Sequence, residues 1–173
     1  MEINAKLALV MKWALYAALA VMTAVMQKYV FSRLEIFGIT PLLLGGLAVC
    51  IGMFEGAAAG AICGGLLGAF MYATNTGVEL LYALVYSCGG FAAGMLCAQL
   101  MGKKLAVAML LSLAINAAAC VLFFILIMWL PGRAGLFAML RVGLPEIAYS
   151  TAVTPLVYLP VRLLAKASGG IEE

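Results

Sequence analysis

Long apolar runs alternate with short polar clusters along the whole chain, and that alternation predicts the elements. Leu7 to Met26 carries a single charge, Lys12, and is followed by a polar stretch, Gln27 to Gly38, holding Lys28, Arg33 and Glu35. From Ile39 to Ala73 the only charge is Glu55. As one helix that span would reach ~52 Å, against a hydrocarbon core of ~30 Å, so it must fold back. The stretch Gly52 to Gly56 around Glu55 is the natural turn, which predicts helices over 41–54 and 56–72. Thr74-Asn75-Thr76-Gly77 is a polar turn, and helices over 78–101 and 105–130 follow, separated by Lys103-Lys104. A last helix over 145–164 contains Pro155 and Pro160, which predict a kink. With the first helix over 7–26, the pattern gives one all-α transmembrane domain of five or six spans over residues 1–173.

Within the third and fourth runs, small residues have a spacing of their own. Glycine recurs at every fourth place, at Gly52, Gly56, Gly60, Gly64 and Gly68. Such a row follows the i±4 ridge of a helix and lets a second backbone approach closely, as in small-xxx-small contacts between membrane helices. Because the turn claims Gly52 and Gly56, the packing row proper is Gly60, Gly64 and Gly68. Gly89-Gly90 and Gly94 form a second small-residue patch that can receive it.

Composition then narrows the class. Of 173 residues 67% are apolar and 10% charged, with a mean hydropathy of +1.19. A soluble domain is about half apolar and a quarter charged, so this is a polytopic membrane protein. A net charge of +3, scattered along the chain, does not suit nucleic acid. Six spans with both termini inside put Lys6, Lys12, Lys103, Lys104, Arg162 and Lys166 on the cytoplasmic side and Lys28, Arg33, Arg133 and Arg141 outside, as the positive-inside rule favours. Lys12 can snorkel to the interface, and Trp13, Tyr16 and Tyr29 read as interfacial aromatics.

Candidate chemistry is sparse. The chain has no histidine, and its five cysteines lie within apolar runs with no CxxC spacing, reading as small buried hydrophobes with free thiols. No GxSxG, HExxH or Walker pattern occurs, so neither catalysis nor a metal or other cofactor is expected. Glu55, Glu79 and Glu146 fall in three separate places. Pro145 fits a first helical position, where Glu146 would complement the helix N-terminus and Arg141 could neutralise it. Asn116 reads as interhelical glue. Tyr72, Tyr82 and Tyr86 read as belt residues, with a ligand pocket as the other possibility.

The ordered set of motifs resembles the rod shape-determining MreD family. It comprises Ile39-Thr40-Pro41-Leu42-Leu43-Leu44, then Phe54-Glu55-Gly56 with Gly60, Gly64 and Gly68, then Gly77-Val78 with Leu81-Tyr82-Ala83-Leu84. Gly90, Leu144-Pro145-Glu146 with Tyr149, and Pro155-Leu156 with Leu159 complete it. The chain departs from the family at Leu42 and Tyr72, where relatives often carry acids. The resemblance implies a non-enzymatic scaffold in the bacterial cell membrane that binds the membrane-anchored shape protein MreC. Through MreC it would reach the glycan polymerase RodA and its transpeptidase during wall synthesis. It leaves Gly56, Gly60, Gly64, Gly68, Gly90, Gly94, Pro145 and Glu146 as helix-packing or partner candidates. The alternative is a substrate-binding subunit of an energy-coupling-factor vitamin transporter, which shares the general six-helix plan. Ala14 and Ala18 would then dock a transporter subunit, and Tyr72, Tyr82 and Glu79 would line an outer pocket.

Overall fold

The computed structural model describes residues 2–31, 33, 41–74, 80–129 and 136–167. Among the described residues six α-helices follow one another: α1 (Glu2–Val25), α2 (Leu43–Glu55), α3 (Ala57–Thr74), α4 (Leu80–Leu96), α5 (Leu105–Phe123) and α6 (Leu136–Ala167). Helices α1, α4 and α5 each run on into a π-helical turn, at Met26–Phe31, Cys97–Met101 and Phe124–Trp129. There is no strand among the described residues. Four segments are long and apolar enough to cross a membrane: Leu9–Phe31, Leu81–Gln99, Leu105–Leu126 and Gly143–Ala167. The protein is an all-α, multi-pass membrane protein.

Helix α2 is the axis. Every residue from Leu43 to Phe54 is buried, and the helix contacts all five others. Apolar side chains all round its circumference require this, since a helix with no polar face finds its place inside a bundle. At 13 residues it is ~20 Å long, shorter than the hydrocarbon core. It is too short to carry both ends to water, and the free N–H and C=O groups of a helix terminus away from water need other partners. Neighbouring helices supply the partners. At the N-terminus, Leu43 N–H and Leu44 N–H donate to Gln27 Oε1 (3.0 and 3.2 Å), and Leu42 N–H donates to Ser150 Oγ (2.9 Å). At the C-terminus, Lys103 Nζ donates to the Phe54 carbonyl (3.3 Å) and lies 5.8 Å from the centroid of the Phe54 ring.

The glycine row is used inside the fold. A Cβ on Gly60 would fall 2.6 Å from Gly52 Cα and 2.8 Å from Gly90 C. On Gly64 it would meet the Tyr86 carbonyl group, on Gly68 the Ala83 backbone, and on Gly94 the Ala57 backbone. Gly90 faces the Gly60 backbone in return. Helices α3 and α4 thus touch backbone to backbone over their length, the approach the spacing predicts.

Three expectations are corrected. The turn between α2 and α3 is the single residue Gly56, held at φ +97°, a conformation that disfavours any side chain. Gly52 is not part of it, for it lies within α2 with the space for its Cβ taken by the Gly90 carbonyl. Pro145 is not a helix start. Helix α6 runs unbroken from Leu136, with Pro145, Pro155 and Pro160 all inside it. The apolar stretch before Pro145 continues the helical pattern, and the missing N–H leaves the carbonyl four residues earlier without its donor instead of ending the helix. Tyr16 and Tyr86 are not belt residues either, at 2% and 0% exposure.

Candidate functional site

The two ends of the bundle carry different chemistry. Lys12, Glu55, Lys103, Lys104, Arg162 and Lys166 lie toward one end, where α1 and α4 to α6 are tied to the C-terminus of α2. Tyr158 donates its hydroxyl to the Lys103 carbonyl there (2.8 Å), drawing α6 onto the α4–α5 link. Glu55, the last residue of α2, forms an ion pair with Lys12 and accepts a hydrogen bond from the Tyr16 hydroxyl (2.8 Å). A carboxylate at a helix C-terminus faces the negative end of the macrodipole, so it needs an external cation, and Lys12 provides one. Lys12 and Tyr16 stand one turn apart on α1, hence on one face. That i, i+4 pair is the signal in the sequence; what it meets is decided by the packing. Lys12 therefore does not simply snorkel.

Beside this cluster an apolar groove of about 790 Å³ runs between α1 and α3. Trp13, Ala17, Ala20 and Val21 of α1 form one wall, Ala59, Ile62, Leu66 and Phe70 of α3 the other, and Tyr16 and Glu55 lie at its edge. It is floored by Ile51 of the central helix.

The other half of the bundle holds a polar ladder. Thr154 donates its hydroxyl to Ser112 Oγ (2.9 Å), joining α6 to α5. Asn116 Nδ2 donates to the same Ser112 oxygen (3.3 Å), within α5. Asn116 is thus not the interhelical bond its position suggests; Ser112 and Thr154 form that bond. Because α5 and α6 are antiparallel, one turn from the Thr154–Ser112 pair brings Ser150 level with Asn116. One turn further brings Glu146 level with Cys120, and the Cys120 sulfur fills the space beside Gly143 in keeping with that register. Ser150 donates to the Glu146 carbonyl (2.7 Å) while accepting from Leu42 N–H, so it ties α6 to the start of α2.

Helix α2 covers the ladder with glycines. A Cβ on Gly46 would contact Ser112 Oγ and Thr154 Oγ1, both at 3.5 Å. A Cβ on Gly45 would fall 2.9 Å from Asn116 Oδ1 and 2.9 Å from Tyr86 Cε1. The Tyr86 hydroxyl and Asn116 Oδ1 are both buried, and neither has a hydrogen-bond partner among the described residues. Tyr86 stacks on Tyr82, which in turn packs on Phe123, so its ring is fixed (centroids 5.7 and 6.0 Å).

Glu146 is a partly buried acid in a spanning segment, in a helix interior and not at an N-terminus. No ion pair to Glu146 forms among the described residues, Arg141 included. The i, i+4 spacing of Glu146, Ser150 and Thr154 on α6 and of Ser112 and Asn116 on α5 is visible in the sequence as polar residues four apart, and it is the signal that marks this face.

Of the residues singled out from the sequence, Gly60, Gly64, Gly68, Gly90 and Gly94 come together in one interface, Gly56 forms the turn, and Pro145 and Glu146 stand apart from all of them. Glu55 and Glu146 lie toward opposite ends of the bundle. Glu79, Arg133 and the side chain of Tyr72 lie outside the described residues. All five cysteines are free thiols, but they are not all buried as expected: Cys50 and Cys97 are, Cys63 and Cys120 are half-buried, and Cys88 is exposed. No group of three or more metal-ligating residues occurs among the described residues. The chain matches no family model, no curated protein and no solved structure.

Proposed function

We propose that the protein is a non-enzymatic membrane scaffold of the bacterial elongation machinery, as its likeness to the MreD family implies. It binds an MreC-like membrane-anchored protein, and through it serves a RodA-type polymerase and transpeptidase. The lysine-rich end faces the cytoplasm, following the positive-inside rule. The observation that supports this reading is the groove between α1 and α3. The small-residue interfaces are spent within the bundle, which makes a rigid body, and the groove is an apolar concavity on its flank. A partner's single transmembrane helix can lie in such a channel, since helices associate in lipid by close packing.

Affinity capture from solubilised membranes tests it. Wall-synthesis proteins co-elute with the wild type, and Ala20→Trp with Ala59→Trp, which fill the groove, remove them. Capture that survives both substitutions would place the partner elsewhere; an ATPase with a coupling subunit would replace the reading by the transporter one. That second reading has its own support in the buried, unpartnered Tyr86 hydroxyl and Asn116 Oδ1, since binding subunits hold ligands with a few convergent polar groups.

A further inference from the structure

We propose that Tyr86, Asn116 and Glu146 bind one small monovalent cation, an alkali-metal ion or a primary ammonium, in the half of the bundle away from the lysine-rich end. This goes beyond the scaffold reading and does not depend on it.

The first argument is the inventory of unused groups. Buried polar atoms in native proteins are almost always hydrogen-bonded. Two that are not, among the described residues, are Asn116 Oδ1, which lies against Gly45, and the hydroxyl of Tyr86, whose ring lies against the same glycine. Side chains hold both in place: the Tyr82 ring against Tyr86, and Ser112 on the amide of Asn116. The second is charge. An ionisable residue within a membrane span is costly and marks a site when it has no partner. Glu146 has no ion pair among the described residues, and the α5–α6 register sets it two turns from Thr154 on the stripe that faces Ser112 and Asn116.

The third argument fixes the sign and class of the ligand. Asn116 Oδ1 and the Glu146 carboxylate only accept, and the Tyr86 oxygen can accept through its lone pairs. Most donors nearby are already committed: the N–H groups of Leu42, Leu43 and Leu44 to Ser150 and Gln27, and the Thr154 hydroxyl to Ser112. An anion would meet the Glu146 carboxylate and Asn116 Oδ1, with only the hydroxyl hydrogens of Tyr86 and Ser112 to bond it. A single carboxylate matches a single positive charge, whereas divalent metals draw on several acids, and no such cluster exists among the described residues. Gly45 makes room for the two side chains, since a Cβ there would clash with Asn116 Oδ1 and with the Tyr86 ring.

Thermal unfolding of the full chain in detergent tests this. Sodium chloride, potassium chloride and ethylammonium chloride are each titrated against choline chloride at equal ionic strength. One of the three is expected to raise the melting temperature saturably above choline, as a ligand of the folded state must. Which one does so separates a metal ion from an ammonium. Glu146→Gln is expected to abolish the rise. Tyr86→Phe keeps the ring and removes an oxygen that bonds to nothing, so it folds and needs at least tenfold more cation for the same rise. No rise beyond choline in the wild type would overturn the proposal. A rise unchanged in Tyr86→Phe would show an adventitious ion only, and failure of Tyr86→Phe to fold would show that the hydroxyl is structural. Either ends the idea even if Glu146→Gln does not fold.

Discussion

Alanine at Gly60 and alanine at Gly65 differ by little more than one turn of the same helix, yet the structure assigns them opposite outcomes. At Gly65 a new Cβ would lie 3.8 Å from the Ser87 side chain, an ordinary contact. At Gly60 it would lie 2.6 Å from Gly52 Cα, and every near atom belongs to a backbone. Restoring a 3.4 Å contact means moving α3 about 0.8 Å from α2, and further from the Gly90 carbonyl. No side chain can rotate away to absorb this. Both substitutions gain the same intrinsic helix propensity, about 1 kcal/mol, so their difference isolates the clash. Overpacking of this kind costs about 1–3 kcal/mol. Gly60→Ala should therefore melt several degrees below Gly65→Ala in the same detergent. Gly60→Leu should not assemble at all. If the two alanine variants melted within a degree of each other, the tight α2–α3–α4 contact would not be what holds the bundle.

Ser150→Ala should cost about 1–3 kcal/mol by thermal unfolding, because it leaves the buried N–H of Leu42 without an acceptor. Gln27→Leu should do at least as much harm, since one oxygen serves both Leu43 and Leu44. Lys12→Met and Glu55→Gln should each destabilise, while the double variant recovers part of the loss; a double-mutant cycle should give a coupling of about 0.5–3 kcal/mol. Additive losses would mean that the pair is not formed in the membrane. Thr154→Val should weaken the α5–α6 contact by about 0.6 kcal/mol, the usual worth of an interhelical hydrogen bond in a bilayer.

Apolar run lengths and polar breaks determined the class, the number of helices and the fold-back at Glu55, because a bilayer of fixed thickness leaves a chain this apolar few other arrangements. Glycine spacing also predicted the close approach of α3 and α4, for a period of four on a helix makes a continuous row whatever surrounds it. Residues at helix ends were less legible. A proline can open a helix or sit within one, and only the tertiary structure, with Gly143 against Cys120 of α5, chose the interior for Pro145, turning Glu146 from a first-turn acid into a charge within a span that has no ion pair among the described residues. Tyr16 and Tyr86 have the composition of interfacial residues, but their depth depends on which way α1 and α4 are rotated, and that is fixed by their neighbours. The same rotation brings Lys12 to Glu55, and Asn116 and Tyr86 to the two sides of Gly45. Periodicity tells which residues share a face of one helix; which faces meet is settled by several helices competing for the same short central one.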